Sequence, residues 1–125
     1  MKKVFLGGVG SESSWRAHVS RQLNINYVDP TVATTAEKEL LADCDFLLYV
    51  ITPCLRGFSL IPQLVDASNK NPEKTLYCAL YEDAGKAFTA HQKKSLEAIG
   101  KMIEKNGGRW LKSLDEAIDF LNSYQ

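Results

Sequence analysis

Residues Phe46–Ile51 read FLLYVI, an unbroken apolar and aromatic run. It is far shorter than the roughly 20 residues a membrane helix needs. Its aromatic and β-branched content suits a buried strand, and an unbroken apolar run suits one covered on both faces. A loop containing proline and glycine follows, Thr52–Ser59, and then a helical pattern. In that pattern Ile61, Leu64 and Val65 share one face, and Gln63 and Asp66 share the other. In open parallel sheets the ligand site lies beyond the carboxyl ends of the strands. The functional half of the chain is therefore expected between Thr52 and Asp66.

The rest of the chain alternates in the same way. Lys3–Leu6 reads as a first strand, running into the glycine and serine loop Gly7–Ser14. Trp15, Val19 and Leu23 mark a helix face, Ile25–Val28 a second strand, and Asp29-Pro30 its stop. Thr34 with Glu37 has capping-box spacing for a helix through Leu41. Thr75–Leu80 is a fourth strand, followed by an acidic loop over Tyr81–Gly85. Thr89 with Gln92 caps a helix whose Leu96, Ile99 and Ile103 face inward and which ends at Asn106-Gly107-Gly108. Arg109–Leu111 is a short edge strand, and Ser113 with Glu116 caps a last helix with Ala117, Ile118 and Leu121 inward. Strict alternation at this length predicts one α/β domain over residues 1–125, a three-layer α/β/α fold on a doubly wound, five-stranded parallel sheet. The flavodoxin-like order 2-1-3-4-5 fits better than the six-stranded dinucleotide order. Its switch point would set the Gly7–Ser14 and Thr52–Ser59 loops across one crevice, with Gln63 on the wall.

Charge excludes more than it suggests. Fifteen basic residues balance fifteen acidic ones, so no field draws nucleic acid or an anionic membrane. The start, MKKVFLGG, meets glycines too soon for a signal peptide, and Cys44, Cys54 and Cys78 form no CxxC pair. Reduced thiols in a cytoplasmic protein are expected. His18 and His91 have no ligand partner at metal spacing, so no metal site is expected. The first loop has glycines for backbone approach to an anion or sugar, but no Gly-Lys-Ser/Thr follows, and Gly8-x-Gly10-x-x-Ser13 lacks the third glycine of a dinucleotide fingerprint. Asp43 and Asp45 flank Cys44 where strand three starts. Each could solvate that edge, or bind a sugar hydroxyl.

VFLGG near the start, Ser14-Trp15-Arg16, Asp29-Pro30, CDFLLYVITP and Gly57 through VDAS, taken in order, resemble the nucleoside 2-deoxyribosyltransferase-like family. The similarity extends to SLDEAIDFLN and covers nearly the whole chain. The resemblance implies a flavodoxin-like sheet and cleavage or transfer at the N-glycosidic bond of a (deoxy)nucleoside or nucleotide. A glutamate early in the helix after strand three would form a glycosyl-enzyme ester, with no cofactor. It implies Asp45 as a residue orienting base or sugar, and a substrate-binding set of Phe5, Gly7, Gly8, Trp15, Asp29, Pro53, Gly57 and Ser59. It also implies a homo-oligomer whose sites are completed by a neighbour's C-terminal segment. The nucleophile position falls on Gln63, whose amide is a poor nucleophile and carries no charge to steady an oxocarbenium ion. Three accounts stay open: a binding module that kept the pocket and lost the chemistry, an exchange of Glu for Gln made to trap ligand, or another carboxylate such as Asp66 in the role.

Overall fold

The structure, a computed structural model, describes residues 1–10, 12–33 and 35–125. In chain order its elements are β1 (Lys3–Gly8), α1 (Trp15–Ser20), β2 (Asn26–Val28), α2 (Glu37–Asp43), β3 (Phe46–Ile51), α3 (Leu60–Lys70), β4 (Thr75–Ala79), β5 (Glu82–Asp83), β6 (Lys86–Ala87), α4 (Ala90–Lys105), β7 (Arg109–Leu111) and α5 (Leu114–Asn122). β2-β1-β3-β4-β7 form an all-parallel five-stranded sheet with helices on both faces. With β7 counted fifth, this is the flavodoxin-like order. Among the described residues no helix is long and apolar enough to cross a membrane.

The apolar run of β3 is explained by where the sheet places it. Every residue from Phe46 to Ile51 is buried. Successive side chains point to opposite faces, so Phe46, Leu48 and Val50 pack with Trp15, Val19, Ala117, Ile118 and Leu121 under α1 and α5. Leu47, Tyr49 and Ile51 pack on the other face with Leu64, Leu96 and Ile103 from α3 and α4. Two cores on one strand leave no position free for a polar residue. Truncating Leu48, which has no exposed surface, would cost about 2–5 kcal/mol by the usual leucine-to-alanine range.

Helix ends follow their local chemistry where it is present. Gln92 N donates to Thr89 Oγ1 at 3.1 Å and Thr89 N to Gln92 Oε1 at 2.8 Å, a complete capping box at the head of α4. Gly107, with φ of 102°, closes the same helix. Ser113 Oγ accepts from Glu116 N at 3.0 Å, while the Glu116 carboxylate accepts from Lys112 N at 3.2 Å, one residue short of a reciprocal box.

Three local expectations change. α1 stops at Ser20, and Leu23 packs from beyond its end. Thr34 lies outside the described residues, and α2 starts at Glu37 behind Ala36, with no side-chain cap. The acidic segment after β4 is a small hairpin, β5 pairing β6 through Ala84 and Gly85, both at positive φ. Two-residue strands are too short for period-2 patterning to reveal.

Candidate functional site

The site lies at the switch point, where β1 and β3 are neighbours and their following loops leave in different directions. Gly7 pairs with Tyr49 and Gly8 with Val50. A Cβ on Gly7 would stand 2.7 Å from the Phe5 ring and 3.1 Å from that of Tyr49, so glycine keeps the floor open between the two aromatic rings. Gly8 has φ of 127°, and a Cβ there would run into the Val50 peptide. Its backbone presses on β3, which lets Val9 N donate to Val50 O at 2.9 Å.

Two side chains hold the first loop from behind. The Trp15 indole N–H donates to Val9 O at 2.8 Å from inside the core. Arg16, 7% exposed, donates through Nε to Leu6 O at 2.9 Å and through Nη1 to Val9 O at 3.3 Å. Its guanidinium lies 4.6 Å from the Trp15 ring centroid and its Nε 3.5 Å from Asp29 Oδ1. Burial lowers the Arg16 pKa and Asp29 opposes that shift; the side chain stays charged at neutral pH.

Between the loops is a cleft of about 230 Å³ lined by Phe5, Gly7, Gly8, Arg16, Pro30, Thr31, Glu37, Tyr49, Ser59, Leu60 and Gln63. It shares Gly8, Ser59 and Leu60 with a basin of about 210 Å³ that Gly10, Glu12 and the Cys54–Gly57 segment complete. An ion pair from Arg56 Nε to Glu12 Oε1, 3.0 Å long, joins the two loops at that basin. Through Glu37, Tyr49 and Gln63 the cleft also adjoins a larger cavity of about 470 Å³ between α2 and α3, floored by Leu41, Leu47 and Ala67. That volume is in the range of small-molecule sites.

Of the residues singled out from sequence, Phe5, Gly7, Gly8, Ser59 and Gln63 meet in the one cleft, and Gly57 lies in the adjoining basin. Asp29 stands beside it, ion-paired with Arg16 and accepting from Thr31 N at 2.9 Å and Thr31 Oγ1 at 2.6 Å. Trp15 is buried behind the loop and lines no part of the cleft. Pro53 lines none of these three cavities. Asp45 is not brought to the cleft: it precedes β3, at the amino end of this central strand, where it accepts from Lys3 N at 2.9 Å. A six-residue strand puts it about 20 Å from the Thr52–Ser59 loop.

Arg16, Pro30, Thr31, Glu37, Tyr49 and Leu60 line the cleft without having been assigned to the site from sequence, and Arg16, Glu37 and Tyr49 bring it polar chemistry. Tyr49 had a usable signal, because it faces Gly7 across β1 and β3 on the side opposite Leu48 and Val50. Glu37 had only its capping-box spacing. Burial, reinforced by the charges of Glu37 and Asp66, pushes the Tyr49 phenol up to about 12, so at neutral pH it is a hydrogen-bond donor. The cleft thus combines a phenol, an amide, a carboxylate and a buried guanidinium over an aromatic and glycine floor. Among the described residues no three His, Cys, Asp or Glu side chains gather as a metal site. No family model, curated protein or solved structure matches this chain.

Proposed function

We propose that the crevice is a nucleoside or nucleotide site of the deoxyribosyltransferase type in a cytosolic protein, with the nucleophile's place held by Gln63. The observation that carries this reading is the position of Gln63. It is the fourth residue of α3, counted from Leu60, and it lines the same cleft as Phe5, Gly7 and Gly8. A carboxylate near that helix N-terminus would be kept ionised by the peptide dipoles. The sugar belongs over the two glycines, beside residue 63. The base belongs toward the α2–α3 cavity, whose apolar floor suits a ring face and whose Tyr49 and Glu37 offer a donor and an acceptor to its edge.

With glutamine at the centre, the chain binds a nucleoside without forming a glycosyl ester at residue 63. A transferase or N-glycosidase activity requires a carboxylate there or at Glu37, the one carboxylate among the described residues lining the cleft. The test measures free base released from deoxynucleosides, by chromatography, for the parent, Gln63→Glu and Glu37→Gln. A nucleoside panel read by thermal shift runs alongside; a ligand at 100 times its Kd adds about 2.7 kcal/mol. Gln63 is exposed and the swap nearly isosteric, so stability should change by no more than about 0.5 kcal/mol. The expected result is binding by the parent and base release by Gln63→Glu alone. Release by the parent that disappears in Glu37→Gln would move the chemistry to Glu37. Binding by every variant with no release from any would leave a dedicated nucleoside binder, and no binding at all would end the reading.

A further inference from the structure

Among the described residues, one buried side-chain polar atom has no hydrogen-bond partner: Oδ2 of Asp83. Asp83 ends β5, in the hairpin that joins no strand of the main sheet. The hairpin is closed at its base by Phe88 N donating to Tyr81 O at 3.0 Å. Its reach extends to both loops of the crevice. Ser13 of the first loop and Thr52 and Cys54 of the loop after β3 stand beside the Asp83 carboxylate. Cys54 Sγ lies 3.8 Å from Glu12 O and 4.0 Å from Asp83 O.

The proton arithmetic favours a tie between these groups. Ser13 Oγ already accepts from Trp15 N at 3.2 Å, and Thr52 Oγ1 accepts from Cys54 N at 3.1 Å. A hydroxyl that accepts still has its own proton to donate. Both residues are buried, Thr52 completely, so their protons need an acceptor inside the fold, and Asp83 Oδ2 is a buried acceptor that lacks a donor. Burial alone would raise the Asp83 carboxyl, but the two hydroxyls, the thiol and the Ala84 N–H together hold it below its ordinary value. The group is ionised at neutral pH.

We propose that Asp83 is a positioning residue whose carboxylate ties the loop after β1 to the loop after β3 and so fixes the width of the crevice. It acts through Ser13 and Thr52 and does not touch the ligand. The rival account is local: an aspartate ahead of a two-residue turn that serves only its own hairpin.

Hydrogen exchange resolved along the chain separates the two, and it needs no ligand. Asp83→Ala should raise exchange about tenfold across residues 12–15 and 52–59, as local opening does, while β2 and α5 keep parental rates. Asp83→Asn keeps one acceptor oxygen and should fall between parent and Asp83→Ala. The double variant Ser13→Ala/Thr52→Val should loosen the same two loops with Asp83 intact. Changes confined to residues 81–88 would overturn the proposal, as would a uniform rise along the chain or parental rates in the double variant. These rates do not depend on what the crevice binds, so a failed nucleoside panel and a failed tie are distinguishable.

Discussion

Gly8 and Gly57 look alike in the sequence, each a glycine in a loop beside a helix, and the structure separates them. Gly8 has φ of 127° and backbone of Val50 where its Cβ would go. Gly57 has nothing within 4 Å of a Cβ and an ordinary φ. Gly8→Ala should therefore lower stability by about 1–3 kcal/mol, the cost of forcing a side chain into a strained backbone region. Gly57→Ala should leave stability within about 0.5 kcal/mol of the parent. Denaturant melts of the two variants check this, and equal losses would contradict the geometry. The contrast also decides which glycine can probe binding. A bulky residue at Gly8 would damage the sheet before it reported on any ligand, whereas a side chain at Gly57 enters the basin of about 210 Å³ directly.

At the scale of elements, α4 packs closely on β7. Gly100 is buried in α4, and a Cβ there would collide with the Trp110 ring. That ring is itself backed by Tyr77, centroids 6.4 Å apart, and by Lys112 Nζ at 2.8 Å from its centroid. Two effects oppose each other in Gly100→Ala. Helix propensity favours alanine by about 1 kcal/mol, and overpacking costs about 1–3 kcal/mol. With Tyr77 and Lys112 backing the ring, overpacking should win and the variant should melt below the parent in thermal denaturation. A variant that melts higher would mean that Trp110 can shift after all. The Thr89 and Ser113 caps were legible in the sequence because a cap is a contract between residues three apart. The Gly100–Trp110 contact joins residues on two elements, and no local pattern encodes it.

For the molecule as a whole, the two-sided burial of the sheet sets a pH limit. Burial pushes Tyr49 up to about 12 from 10.0 and Cys78 up to about 12 from 9.0, and raises Tyr77 as well. Each group is neutral in the fold and ionises more readily unfolded. Their contribution is therefore complete below the unfolded pKa values and lost as pH rises through the folded ones. The melting temperature should hold from neutral pH to about 9 and fall steeply between about 10 and 12, and Tyr49→Phe should make that fall shallower. A flat profile through pH 12 would refute the sign. By itself the sequence determined the alternation of elements, the parallel order and the inward faces, because each follows from apolar period and from caps a few residues apart. It also pointed to Gly7, Gly8 and Gln63, since glycine and helix-start chemistry are local. Only the tertiary structure decided that Asp45 sits at the far end of the strands from the cleft, that Trp15 lies behind the loop, and that Arg16, Glu37 and Tyr49 share the cleft with Gln63. It alone brought Asp83 to Ser13 and Thr52. Those relations depend on strand register and on which face each helix covers, and they arise only when residues distant in the chain are packed on one sheet.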